Sequence, residues 1–205
     1  MVTSADKSNI YLVGGAVRDR LLNKPIKDRD WVVVGSSPEE MSKAGFRPVG
    51  KDFPVFLHPK THEEYALART ERKTSRGYHG FAFSTSPGIT VEEDLRRRDF
   101  TINALSVTLE GDLYDSFNGL SDLSRGLVRF IGVADERLTE DVLRILRYFR
   151  FYGLFSRLPA DRDALKACSR HSKKLSNLSG ERIWNEMSKI LLTPEPGNVA
   201  ELMSN

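Results

Sequence analysis

The chain has 205 residues, 40% of them hydrophobic, 29% charged and 9% aromatic, and a formal net charge of +3. That is enough apolar material for a soluble globular protein of one or two domains. No apolar run approaches the ~20 residues of a membrane helix and residues 1–10 are too polar for a secretory signal, so a cytoplasmic chain with no membrane contact is expected. The single cysteine, Cys168, excludes an internal disulfide and has no metal-ligand neighbours around it. Arginines cluster at Arg96, Arg97 and Arg98 and again at Arg144, Arg147 and Arg150, a pattern that leans toward phosphate-rich partners.

In chain order, the first ~130 residues alternate strand-like and helix-like segments and the remainder is helix-like throughout. An α+β fold is therefore expected, with a small mixed β-sheet and flanking helices followed by an all-α part. Residues 10–13 read as a short buried strand, Gly14 and Gly15 as a turn and 16–22 as a helix. A second strand covers 30–34. Ser37, Pro38 and Glu40 have the spacing of a capping box with proline in the first turn, and Gly45 ends that helix. Residues 55–57 and 63–70 are further strands, and 72–88 lacks periodicity and reads as a mobile loop. Thr90 and Glu93 form another capping box. Residues 105–109 and 113–115 make a hairpin around Glu110, Gly111 and Asp112. Helices follow near 139–152, 161–172 and 180–192.

The chemistry concentrates at a few places. Side chains two apart on a strand share a face, so Asp28 and Asp30 present two carboxylates together at a strand entry. Such a pair suits an oxygen-preferring divalent cation, most simply Mg²⁺, although "KDRD" also fits a solvated turn. The Gly14-Gly15 turn lets backbone N–H groups approach an anion, and Arg18 lies one turn further along the helix. Glycine turn, arginine and paired aspartates describe phosphate plus metal, which points to phosphoryl or nucleotidyl transfer. On the helix near 139–152, Glu140, Asp141, Arg144, Arg147 and Tyr148 fall on one arc of about 120°, opposite Val142, Ile145, Leu146 and Phe149. That polar arc reads either as intrahelical salt bridges or as an edge that accepts and donates hydrogen bonds to a nucleobase.

The segments "VGGAVRD", "KDRDWVVVG", "RRDFTINAL", "EDVLRILRYFRF" and "SGERIWNEM" follow one another in this order. Together they resemble class II CCA-adding tRNA nucleotidyltransferases of the polymerase-beta-like superfamily, over residues 11–192. The resemblance implies a nucleotidyltransferase head that catalyses addition of C, C and A to tRNA 3′ ends from CTP and ATP, and a helical neck that selects the nucleotide. It makes Asp28 and Asp30 the catalytic Mg²⁺ ligands, with a third carboxylate expected from the neighbouring strand at Glu63 or Glu64. Gly15 and Arg18 would form the triphosphate site, Arg98 and Asp99 would hold triphosphate and ribose with Asn103 beside them, and Asp141 and Arg144 would pair with the base edge next to Arg147. Glu181, Arg182 and Trp184 would support the neck. Residues 72–88 correspond to the loop that helps such enzymes switch from C to A.

The implied partition is a catalytic head over 1–135, a neck over 136–193, and a linker with the start of a further helix over 194–205. Relatives continue into body and tail domains that grip the tRNA, so a fragment of a longer enzyme is expected, the alternative being a natural minimal enzyme. On the fragment reading Ile190, Leu191 and Leu192 are exposed and favour self-association. A polyA polymerase of the same superfamily, or a nucleotide-binding fragment without turnover, stays open beside CCA addition.

Overall fold

The computed structural model describes residues 9–49, 55–73, 81–84 and 86–204, with side chains described for all of these except 71–73 and 81–84. The chain forms two compact units, one made of residues up to Arg98 with Asn103–Gly119, the other of Asp99–Ile102 with the chain from Leu120 onward.

The first unit is built on a seven-stranded mixed sheet. Its strands are β1 (Ile10–Val13), β2 (Asp30–Val33), β3 (Arg47–Val49), β4 (Val55–Leu57), β5 (Glu64–Leu67), β8 (Ser106–Thr108) and β9 (Leu113–Tyr114), in the spatial order β3-β4-β5-β2-β1-β8-β9. Only β2 and β5 run parallel; the other neighbours are antiparallel. One face of this sheet packs Ile10, Val33, Met41, Phe56, Tyr65 and Leu67 into a core, with Trp31 stacked on Tyr65 at 5.5 Å. Three short helices flank it: α1 (Gly15–Leu21), α2 (Pro38–Lys43) and α3 (Val91–Arg96).

Both expected capping boxes form. Ser37 Oγ accepts the Glu40 N–H at 3.2 Å while Glu40 Oε2 accepts the Ser37 N–H at 2.9 Å, and Thr90 and Glu93 repeat the exchange at 3.2 and 2.8 Å. Such caps satisfy helix-end donors and contribute about 1 kcal/mol each. The hairpin of β8 and β9 pairs Ser106 with Tyr114 and Val107 with Leu113, as its turn residues predict.

Three expectations in this unit are corrected. The strand read at 63–70 is two strands: β5 ends at Leu67, and Thr70 opens β6 (Thr70–Lys73). The aperiodic stretch 72–88 contains β7 (Phe81–Ser84), which pairs antiparallel with β6 in a separate two-stranded sheet, so it is in part a β-hairpin; residues 74–80 and 85 of that stretch lie outside the described residues. Strand β3 was not anticipated, because "RPV" is polar at one end and carries a proline that only an edge strand tolerates.

The second unit is helical, with α4 (Gly119–Arg125), α5 (Ala134–Glu140), α6 (Arg144–Phe155), α7 (Arg162–His171), α8 (Gly180–Leu191) and α9 (Pro196–Ser204). Its centre is aromatic: Phe100 lies 5.0 Å from Phe130 and 5.4 Å from Phe151, and Phe130 stacks on Tyr148 at 5.5 Å. Helix α6 packs on α8 and α9. Gly153 permits this, since a Cβ there would stand 2.8 Å from Val199 Cγ2 and 3.0 Å from Thr193 Cγ2.

The single helix expected over 139–152 is broken. Asp141 leaves the helix with φ −144° and ψ 108°, and its Oδ1 accepts the Leu143 N–H at 3.1 Å before α6 starts at Arg144. A short carboxylate competing for backbone N–H groups in this way ends one helix and opens the next. Tyr148, placed on the polar arc by the continuous-helix reading, is fully buried, and its hydroxyl accepts the Asp161 N–H at 3.2 Å. Part of the expected linker is also helical, because α9 begins at Pro196, where proline suits a first turn. Of the three apolar residues expected at the surface, Leu191 and Leu192 are exposed but Ile190 is buried at 2% exposure.

Candidate functional site

The sheet register assembles the carboxylates. Asp30 stands opposite Val13 on β1 and opposite Glu64 on β5, so Glu64, Asp30 and the residue just before Gly14 form one row across three strands. Paired residues of neighbouring strands project to the same face, which puts the Glu64 side chain on the Asp30 side. Glu63 is committed to the other face: its Oε2 accepts the Trp31 indole N–H at 3.1 Å and its Oε1 accepts from Arg29 at 3.0 Å. Strand β2 begins at Asp30, so Asp28 precedes the strand by two residues and the alternation argument covers Asp30 alone. Asp28, Asp30 and Glu64 are all exposed, and among the described residues neither aspartate has an ion-pair partner. Exposed carboxylates without a protein cation are the donor set that a hard divalent ion prefers. Among the described residues no cluster of three metal-ligating side chains is already drawn together.

One residue past Val13, Gly14 adopts φ +71° and ψ −131°, and a Cβ there would lie 2.6 Å from Arg98 Nη1. Glycine is demanded twice over, by the left-handed backbone and by the arginine packed against it. The Gly14 N–H donates to Leu105 O at 3.0 Å, so this backbone donor ties the turn to the sheet. Gly15 faces the Arg18 guanidinium, whose Nη2 would be 3.4 Å from a Cβ. Arg18 is buried, donating from Nη1 to Asn103 Oδ1 at 2.5 Å and pairing with Asp19 at 2.8 Å. The structure thus brings Gly15, Arg18, Arg98 and Asn103 together around the turn that follows β1. Asp94, a further acid not foreseen as part of the site, is fully buried; it accepts from Arg97 at 2.8 Å and sits 3.6 Å from Arg98. Its spacing of three and four residues from the two arginines was the signal available in the sequence.

The remaining predicted residues lie in the second unit. Asp99 is buried, with Oδ2 accepting from Arg147 Nε at 2.7 Å and Oδ1 accepting the Phe100 N–H at 2.8 Å. Burial works against the charged Arg147 guanidinium, but the carboxylates of Asp99, Glu186 and Asp141 outweigh it and raise its pKa. Glu186, buried and not anticipated as a site residue, bonds Arg150 at 2.8 Å. Arg144 donates to Glu140 at 2.6 Å and to the Arg137 carbonyl at 3.1 Å, the salt-bridge arrangement that was one of the two readings of the polar arc. Asp141 pairs instead with Arg182 of α8 at 2.9 Å. Trp184, expected to support the neck, is 64% exposed. Among the described residues no helix is long and apolar enough to cross a membrane.

The poly A polymerase head domain family matches residues 10–129, and a second family, described as a probable RNA and SrmB-binding site of polymerase A, matches residues 160–205. The multifunctional CCA protein of Laribacter hongkongensis is 54% identical over 187 residues, which is 91% of this chain and 45% of the relative. The Bacillus stearothermophilus CCA-adding enzyme in complex with CTP superposes with a TM-score of 0.77 at 31% identity, over 95% of this chain and 47% of that one. The Thermotoga maritima CCA-adding enzyme complexed with tRNA does so with a TM-score of 0.72 at 27% identity, over 95% and 46%. The chain spans about half the length of the relatives it matches. It belongs to the poly A polymerase head domain family, and within that family its similarity is to the head and neck part of CCA-adding enzymes.

Proposed function

We propose that this chain is the head and neck of a CCA-adding nucleotidyltransferase, which transfers C, C and A from CTP and ATP to tRNA 3′ ends with release of pyrophosphate. The observation that carries the reading is the row of Glu64 and Asp30 beside the Gly14-Gly15 turn, in a chain 54% identical to a multifunctional CCA protein. Nucleotidyltransferase heads of this kind are typically metal-dependent. Asp28 and Asp30, with Glu64 as third carboxylate, would hold Mg²⁺, which when bound supplies charge neutralisation at the triphosphate and an activated 3′-hydroxyl for attack on the α-phosphorus. Residues 1–135 act as the catalytic head and 136–193 as the selecting neck.

Within this scheme Gly15 keeps the turn open for the triphosphate, Arg18 and Arg98 counter its charge, and Asn103 fixes Arg18 through the hydrogen bond described above. Asp99 and Arg147 orient each other as the ribose-side pair. Asp141 accepts from, and Arg144 donates to, the Watson–Crick edge of cytosine or adenine, which is how two bases are admitted without a nucleic-acid template.

The test is incorporation of each of the four nucleotides into tRNA lacking its CCA end, with Mg²⁺, by this chain and by Asp28→Ala. The expected result is C and A incorporation by the former and none by the latter. Untemplated runs of A alone would support a poly A polymerase instead, the activity for which the matched family is named. Nucleotide binding with no incorporation on any RNA would leave a binding fragment.

A further inference from the structure

We propose that Asp94 is a positioning residue that sets the Arg98 guanidinium against the Gly14-Gly15 turn, a role that rests on the reading of Arg98 as a triphosphate ligand. Asp94 has 0% exposure. A carboxylate removed from water costs several kcal/mol unless it is paired, so a helix of the first unit keeps an acid in its buried face only against a compensating interaction. The compensation is visible. Asp94 Oδ1 accepts from Arg97 Nε at 2.9 Å, from Arg97 Nη2 at 2.8 Å and from the Arg69 N–H at 3.3 Å.

The second oxygen is placed differently. Oδ2 is buried, has no hydrogen-bond partner, and stands 3.6 Å from Arg98 Nη2, an ion-pair distance beyond hydrogen-bond range. Arg98 is also packed so closely on Gly14 that a Cβ at that position would come within 2.6 Å of Nη1. The guanidinium thus has Nη2 near a buried carboxylate and Nη1 against the glycine turn. Asp94 clamps Arg97 by direct charge-assisted bonds and holds its neighbour by charge, which aims Arg98 without consuming an oxygen on it. An arginine side chain loses rotamer freedom when it binds, so an anchor that orders it beforehand strengthens its binding of an anion.

The prediction is separable from a merely structural role because it concerns phosphates and not the rest of the nucleotide. CTP and CMP are titrated calorimetrically in Mg²⁺ against the unaltered chain and against Asp94→Asn, Asp94→Ser and Arg98→Ala, with thermal melts beside them. Asp94→Asn keeps the shape and removes the charge; Asp94→Ser does the same work where the amide does not fold. CTP affinity is expected to fall at least tenfold in the Asp94 variants, with CMP affinity within threefold, and Arg98→Ala is expected to follow the same pattern. Undiminished CTP affinity in a folded Asp94 variant, with Arg98→Ala weakened, overturns the positioning role and leaves the triphosphate reading standing. Equal loss of CTP and CMP shows a general packing defect and also overturns it. Undiminished CTP affinity in Arg98→Ala removes the triphosphate role of Arg98 and the role of Asp94 with it.

Discussion

Both carboxylate oxygens of Asp141 are engaged, Oδ1 by the Leu143 N–H at 3.1 Å and Oδ2 by Arg182 Nη2 at 2.9 Å. Each oxygen of a carboxylate has two acceptor sites, so these bonds fix the group and leave one site on each oxygen for a base. Asp141→Ala is expected to lose about 1–3 kcal/mol of discrimination between the accepted nucleotides and GTP or UTP, roughly 5- to 150-fold in relative kcat/KM. Arg182→Ala should lose part of that selectivity. Selectivity identical to wild type in Asp141→Ala would show that the residue only shapes the break between α5 and α6.

For the proposed metal site, register favours Glu64 over Glu63 as the third carboxylate. Glu64 shares the row of Asp30, whereas Glu63 serves Trp31 and Arg29. Glu64→Gln should therefore shift the Mg²⁺ titration of incorporation to higher concentration and lower the rate tenfold or more. Glu63→Gln should leave both within threefold. The reverse result, measured on the two variants side by side, would exchange their roles.

What could be read in the sequence was what depends on local rules. The capping residues Ser37, Glu40, Thr90 and Glu93, the Glu110-Gly111-Asp112 turn and the glycines at the start of α1 each act over a few residues and appear where their types predict. The break at Asp141 was not legible, since a polar residue on an apparent amphipathic arc fits a continuous helix as well as a cap. The choice between Glu63 and Glu64 needed the partner strand. Asp94 was hidden for a different reason: an acid amid glutamates and arginines looks like a solvated face, and only tertiary burial shows that it is not.

Strands β6 and β7 pair at the two ends of the segment in which a C-to-A switching role is expected, and that role is open to a direct test. Because β6 and β7 form a sheet of their own, their removal takes no strand from the seven-stranded sheet. Excision of the hairpin with a short glycine linker is expected to spare C addition and to abolish A addition. Equal loss of both, followed on tRNA ending in C74 and C75 respectively, would indicate a general folding defect.

Gly153 offers a stability test independent of function. Its missing Cβ is what allows α6 to meet Thr193 and Val199, so Gly153→Ala forces either the helix pair or those side chains apart. Overpacking of this kind costs about 1–3 kcal/mol. Gly180, where nothing lies within 4 Å of an added Cβ, supplies the control. Denaturant midpoints should fall for Gly153→Ala and stay level or rise for Gly180→Ala.

Cys168 gives a pH signature with a definite sign. Burial pushes its thiol up to about 12, from about 9 for an exposed thiol, because the interior disfavours the thiolate. The folded chain then holds a proton that the unfolded chain has lost, and stability declines as pH rises through the window from about 9 to about 12. Below that window the thiol is neutral in both states and contributes no pH dependence. Denaturation at pH 8, 9.5 and 10.5 should show the stability advantage of the wild type over Cys168→Ala shrinking at the higher values, while the native thiol stays inert to a disulfide reagent at pH 8. The hydroxyls of Tyr65 and Tyr148, which burial also pushes up, are common to both proteins and cancel in the difference. An advantage that stays constant across the three pH values, or rapid native labelling, would mean that the thiol is reached by solvent and that α7 packs more loosely than its buried face of Ala164, Ala167 and Cys168 implies.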